Sequence, residues 1–114
     1  MEFTLDFLRI FAMDLWLAAP LLLFLLLAIT LLGYVIGRIE GWSVFDGLYH
    51  AFINATTVGY GDYRPTRKNS KLLALVLALV GLIFTGMMVA IALHAANDAY
   101  DKTYQSIGVH ARDP

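Results

Sequence analysis

The chain contains no cysteine. That excludes disulfides, thiolate metal sites and thiol nucleophiles, and leaves the redox compartment unmarked. Charge is scarce as well. Eight basic and nine acidic residues in 114 give a formal net charge of −1, which offers no basic footprint for nucleic acid. No Asp, Glu, Lys or Arg occurs between Asp14 and Arg38, or between Lys71 and Asp98. There is no nucleophile paired with a base, no metal-ligand cluster and no carboxylate pair at useful spacing, so neither enzymatic chemistry nor a small-molecule substrate is expected. Nor is there an arginine-rich apolar helix, which removes the usual device for sensing voltage.

What remains is apolar: 60% of the residues are hydrophobic and the mean hydropathy is +0.69. These residues fall into two blocks instead of alternating with polar ones. At about 1.5 Å per residue, Trp16 to Gly37 spans roughly 33 Å and Leu72 to Asn97 roughly 39 Å, against a hydrocarbon core of about 30 Å. Both read as spanning helices, and the fold class expected is an all-α membrane protein. Pro20 falls near the first full turn of the outer span, where a missing N–H does least harm. Gly33 and Gly37 form a small-xxx-small pair expected to let the inner helix approach closely.

Before the first span, Phe3, Phe7, Ile10 and Phe11 share a helical face, with Glu2, Asp6, Arg9 and Asp14 largely elsewhere. That pattern suggests an amphipathic helix lying in the membrane interface, the alternative being a plain extension of the outer helix. Glu2 and Asp6 precede the only early base, Arg9, and no cleavage site follows a short apolar core, so the segment is expected to be retained and not removed as a signal. The expected organisation is an interfacial helix over residues 1–14, an outer transmembrane helix over 15–37, an intervening segment over 38–71, an inner transmembrane helix over 72–97, and a short tail over 98–114.

Between the spans, Ser43 has the character of an N-cap with Asp46 three residues on. Phe45, Leu48, Tyr49, Phe52 and Ile53 then recur at helical spacing. At about twelve residues, roughly 18 Å, this helix cannot cross a bilayer and reads as re-entrant. The stretch that follows, Thr56, Thr57, Val58, Gly59, Tyr60, Gly61 and Asp62, organises the chain. An ion entering a bilayer core loses on the order of tens of kcal/mol of solvation unless oxygens replace its water. Backbone carbonyls supply such oxygens if they line one side of the chain, which requires left-handed dihedrals at some residues. Gly59 and Gly61 accept those dihedrals without the roughly 1–2 kcal/mol that an L-residue incurs.

Thr57 to Gly61 spell the sequence by which potassium-channel filters are generally described, and the chain resembles the two-transmembrane tetrameric potassium channels. The resemblance implies a homotetramer in the plasma (cell inner) membrane, with lipid around it and both termini cytoplasmic, and it divides residues 38–71 into turret, pore helix, selectivity filter and outer loop. It implies K+ ions held by the carbonyls of Thr57, Val58, Gly59 and Tyr60 and by the Thr57 hydroxyl, with Thr56, Gly61, Asp62 and Tyr49 in support. It further implies Gly81 as a gating hinge with Gly86 as a second candidate, and Leu82, Thr85, Val89 and Leu93 lining the cavity and inner mouth, Leu93 being narrowest. His94, the only titratable side chain within the second apolar block, is a candidate pH sensor, expected to face a neighbouring subunit or lipid headgroups.

The chain departs from the family where Tyr49 and His50 stand in place of frequent tryptophans, and where Ile53 replaces the glutamate of some members. Tyr49 is therefore expected to donate to Asp62 and brace the filter, and His50 to be packed and hydrogen-bonded. The charge pattern is also unusual. With both termini inside, Arg9, Lys102 and Arg112 lie inside, whereas Arg38, Arg64, Arg67, Lys68 and Lys71 lie outside, against the positive-inside bias. The expected function is a potassium-selective channel. A weakly selective cation channel and a non-conducting membrane scaffold or accessory subunit are the alternatives.

Overall fold

The computed structural model describes residues 2–108. Among them the backbone forms three helices and no strand: α1 (Glu2–Glu40), α2 (Val44–Ala55) and α3 (Lys68–Ile107). Both long helices contain an apolar window of membrane-crossing length, of which only 17% in α1 and 11% in α3 is buried within the chain. The core helix of a water-soluble domain would be mostly buried. Side chains such as Phe24 and Leu75, 67% and 64% exposed, are compatible with lipid or a neighbouring chain and poorly compatible with water. The fold is thus all-α with two membrane-length helices, as expected, and α2, at 12 residues, is too short to cross.

Two compact units divide the chain. The larger, Pro20–Met87, carries α2 and the loops on either side of it. Gly41 ends α1 in the left-handed region, φ 77°, and the Trp42 amide donates to the Gly37 carbonyl at 2.9 Å, closing the helix in a Schellman turn. Ser43 caps α2: its Oγ accepts from the Asp46 amide at 3.1 Å, as the spacing predicts. Ile29, Ile36, Ala51, Ala55 and Leu77 form the buried centre, with Trp42, Leu73 and Phe84 packed around it. Glu40, at the end of α1, accepts from the Thr66 amide, the Thr66 hydroxyl and the Arg67 amide. Its carboxylate therefore sits at the positive N-terminal end of α3 and ties down the loop before that helix.

Gly33 and Gly37 do not serve the inner helix. A Cβ on Gly33 would lie 2.5 Å from the Ala51 Cβ and 2.9 Å from the Gly47 carbonyl oxygen, and one on Gly37 would lie 3.2 Å from the Gly47 Cα. The groove they form admits α2. Small-residue spacing reveals a slot on a helix, not which neighbour fills it.

The smaller unit joins the stretch ending at Ala19 to the stretch beginning at Met88. Phe3, Phe7 and Phe11 stack in sequence, with ring centroids 6.5 and 5.5 Å apart, so the predicted aromatic face exists. The separate helix over the first fourteen residues does not, because α1 is continuous from Glu2 to Glu40. No glycine precedes Gly33 in that helix, and Pro20 removes a single N–H while keeping a helical φ. Pro20 therefore lies inside a long helix and not at its first turn. α3 likewise begins at Lys68, earlier than residue 72, and runs to Ile107. Met1 and residues 109–114, part of the expected N-terminal segment and tail, lie outside the described residues.

Candidate functional site

The loop leaving α2 has an alternating backbone. Thr57, Gly59 and Gly61 have φ of 69°, 56° and 81°, while Val58 and Tyr60 between them are not left-handed. In an extended chain of uniform handedness successive carbonyls point to opposite sides. Alternating handedness instead turns them toward one side. The glycines at 59 and 61 signalled two of these positions; the third, Thr57, was not anticipated. A β-branched residue at positive φ is an outlier, and here the end of α2 holds it. The Val58 amide donates to the Ile53 carbonyl at 3.0 Å and the Thr57 amide to the Asn54 carbonyl at 3.1 Å, a Schellman turn with threonine where glycine is usual. The Gly59 amide also reaches the Ile53 carbonyl, at 3.1 Å. The amides of the loop's first residues are thus committed to α2. Among the described residues no protein donor reaches the carbonyls of Thr57, Val58, Gly59 or Tyr60. The Val58 and Tyr60 side chains are 51% and 70% exposed in the single chain.

At the base of the loop the Thr56 hydroxyl donates to the Phe52 carbonyl at 2.7 Å. Above it, two phenols stand near carboxylates, Tyr49 of α2 near Asp62 of the loop and Tyr63 of the loop near Asp46 of α2. Both phenols are raised above the ordinary tyrosine range, Tyr49 by desolvation first and then by Asp62, Tyr63 chiefly by Asp46. Trp42 packs edge-on against His50 and Tyr63, with centroids 5.0 and 5.3 Å away.

His50 is buried and hydrogen-bonded, as expected. Its Nδ1 lies 3.0 Å from the Tyr63 carbonyl oxygen, and Asn54 Nδ2 lies against the ring, 3.0 and 3.1 Å from its two nitrogens. Burial pulls its pKa below the ordinary 6.5, outweighing the Tyr63 carbonyl and the charges of Asp62 and Glu40, which act the other way. Asn54 and Tyr63 were not singled out from the sequence. The signal available was the four-residue step from His50 to Asn54, which puts both on one face of α2.

The residues named for the gate separate into different surroundings. Gly81 packs on the end of α2, where a Cβ would meet the Ala55 Cα at 2.4 Å, while Gly86 has nothing within 4 Å. The Thr85 hydroxyl donates to the Ala55 carbonyl at 2.7 Å, so it is turned to the foot of the loop that leaves α2. Leu82 is exposed. In the smaller unit Val89 and Leu93 are exposed. His94 lies with its Nδ1 2.8 Å from Asp14 Oδ2 and its Nε2 3.5 Å from Asp98 Oδ2. It faces a carboxylate of α1 within the same chain, where a neighbouring subunit or lipid was expected.

Comparison with known proteins agrees with this arrangement. Residues 21–97 match the family model described as an ion channel. The chain belongs to that family of membrane-embedded ion channels, which are not enzymes. Its relatives include potassium channels, in keeping with the resemblance drawn from Thr57 to Gly61. It is 37% identical over 71 residues to TWiK family of potassium channels protein 7 of Caenorhabditis elegans, a match covering 58% of this chain and 13% of that protein. It is 33% identical over 58 residues to Potassium channel protein 1 of Methanocaldococcus jannaschii, covering 51% and 17%. It is 36% identical over 75 residues to Two pore potassium channel a of Oryza sativa subsp. japonica, covering 61% and 22%. The chain thus spans less than a quarter of the length of each of these relatives. No solved structure matches significantly.

Proposed function

We propose that the chain is one subunit of a homotetrameric, potassium-selective channel, in which the carbonyls of Thr57, Val58, Gly59 and Tyr60 and the Thr57 hydroxyl replace the water around K+. The observation that carries this reading is the alternation of left-handed residues at 57, 59 and 61. It aligns successive oxygens while the loop's first amides are bound to α2. One chain provides one wall of such a conduit, so closure needs copies about an axis. The committed amides keep N–H donors away from a cation, and α2 ends at this loop, where its dipole favours positive charge. Purified protein in liposomes is expected to pass K+, to exclude Na+ and to be blocked by Ba2+. Comparable Na+ flux would favour a weakly selective cation channel, and no flux a scaffold or accessory subunit.

The orientation follows from the same reading. Asp62 faces outside and both termini face the cytoplasm of the cell inner membrane, despite five basic residues in the outer segments. A protease-protection assay is expected to shield the tail from outside; cleavage from outside reverses the topology.

Tyr49 acts in this reading as a brace on Asp62. Tyr49→Phe removes the donor and leaves the carboxylate without it, so K+ currents are expected to decay faster under sustained activation. Unchanged decay together with unchanged selectivity removes the brace.

At the inner end Leu93 is the narrowest apolar point and His94 the proton sensor. Both His94 ring nitrogens face carboxylates, and only the imidazolium can donate to both. Acid therefore strengthens the tie to Asp14. Single-channel recordings are expected to show a higher open probability in Leu93→Ala and a flattened pH–activity curve in His94→Ala. Wild-type behaviour in either variant removes that residue from the gate.

A further inference from the structure

Charge is distributed unequally on the two sides of the apolar blocks. The segment from Arg38 to Lys71 carries five basic residues against Glu40, Asp46 and Asp62, an excess of two positive charges. The sequence beyond the blocks carries six acidic residues against Arg9, Lys102 and Arg112, an excess of three negative charges. Within the segment between the long helices the two signs are also placed differently. Arg38, Arg64, Arg67, Lys68 and Lys71 are all exposed, and among the described residues none of them forms an ion pair. Glu40 and Asp46 are half-buried. Glu40 accepts from the Thr66 and Arg67 amides, and Asp46 stands near Tyr63. Asp62 is the exposed acid. Arg64, two residues on, is exposed as well and lines a cavity together with Gly59 and Gly61, which puts it beside the loop that leaves α2.

We propose that this uncompensated basic segment makes conduction directional: at low ionic strength K+ passes more readily toward the Asp62 side than away from it, and Arg64 is a residue that sets the difference. The proposal rests on the channel reading above and adds to it a direction and a salt dependence. Two charges per chain become eight positive charges around the Asp62 mouth in the four copies of the proposed tetramer, and three per chain become twelve negative charges at the other mouth. A positive potential at a mouth depletes K+ there and slows its entry, while a negative one enriches it. Both mouths therefore act in the same sense. Such charges reach about 30 Å at 0.01 M salt and about 3 Å at 1 M, so the difference fades as salt rises. Basic side chains that only anchored the helix ends among lipid headgroups would leave the two directions equal.

The test is single-channel K+ current across a planar bilayer of uncharged lipid, in symmetrical KCl at about 0.01 M and about 1 M, read at equal and opposite voltages. Wild type is expected to carry about twofold more current, or better, toward the Asp62 side at the low concentration, and equal currents at the high one. Because the chain has no cysteine, Arg64→Cys introduces one thiol per chain, and impermeant thiol reagents mark the Asp62 side by reacting from it alone. At low salt an anionic reagent is expected to raise the current entering from that side several-fold above the current left by a cationic reagent, with no such difference at 1 M. Equal currents in wild type at low salt, a difference of the same size at 1 M, or equal effects of the two reagents overturn the proposal. A second measurement does not depend on conduction. Asn69, between Lys68 and Lys71, is exposed, and Asn69→Cys keeps all five cations in place. The ratio of its reaction rates with the anionic and the cationic reagent is expected to be several-fold higher at low salt than at 1 M. A ratio indifferent to salt overturns the proposal equally. Absence of K+ current in every protein contradicts the channel reading instead, and the reaction rates then decide the potential alone.

Discussion

Gly81→Ala is expected to abolish the conducting assembly, although alanine is the better helix former by about 1 kcal/mol. A Cβ at this position would lie 2.4 Å from the Ala55 Cα, 2.8 Å from its Cβ and 3.0 Å from its carbonyl oxygen. Two of these three atoms are backbone, so no rotamer change relieves the overlap. Either α3 retreats or the end of α2 moves, and overpacking of this kind costs about 1–3 kcal/mol or more per site. Retreat also breaks the 2.7 Å bond from the Thr85 hydroxyl to the Ala55 carbonyl. Ala55 is the last residue of α2, so the disturbance enters the filter loop directly. Light scattering on detergent-solubilised protein is expected to show lost or heterogeneous oligomers, and liposomes no K+ flux. Gly86→Ala is the comparison, since Gly86 has nothing within 4 Å. It is expected to assemble normally and to pass K+. A Gly81→Ala protein with wild-type oligomers and flux contradicts this account of the packing.

Gly59→Ala is expected to leave the helices assembled and to destroy selective conduction. Alanine has to adopt a φ of 56°, which costs an L-residue about 1–2 kcal/mol, or about 4–8 kcal/mol across the four copies of the proposed tetramer. Its Cβ meets only Asn54 Oδ1, at an ordinary 3.7 Å, so the penalty is one of backbone angle and not of space. The loop escapes it by turning the peptide over, which takes a carbonyl away from its neighbours. With 1.4 kcal/mol equivalent to a factor of ten, K+ flux should fall by about tenfold or more and preference over Na+ should collapse. Circular dichroism and oligomer size should be those of the wild type. Selective flux in this variant means that the left-handed residue at 59 does not orient the oxygens.

These two glycines show how far local sequence reaches. The need for left-handed residues in the filter loop follows from glycine chemistry, so Gly59 and Gly61 announce themselves. Thr57 does not, because nothing in a threonine side chain favours φ of 69°. Its handedness is imposed by the turn that closes α2. The two charge-free blocks mark the long helices. The Ser43 cap marks where α2 begins, since capping is local. Partner choice is another matter. Gly33 and Gly37 advertise a groove, yet only the tertiary fold assigns that groove to Gly47 and Ala51. Asp14 and His94 are 80 residues apart and belong to different helices, so no periodicity joins them. Helix α1 runs through residue 14 because polar positions on a helix do not end it and no residue there stops helix propagation.

The most direct measurement is anomalous diffraction from crystals of the assembled protein grown with Rb+ in place of K+. The account predicts four chains about one axis and a column of ion peaks on it, level with the carbonyls of Thr57 to Tyr60. A dimer or trimer, or an axis without ion density beside that segment, contradicts it.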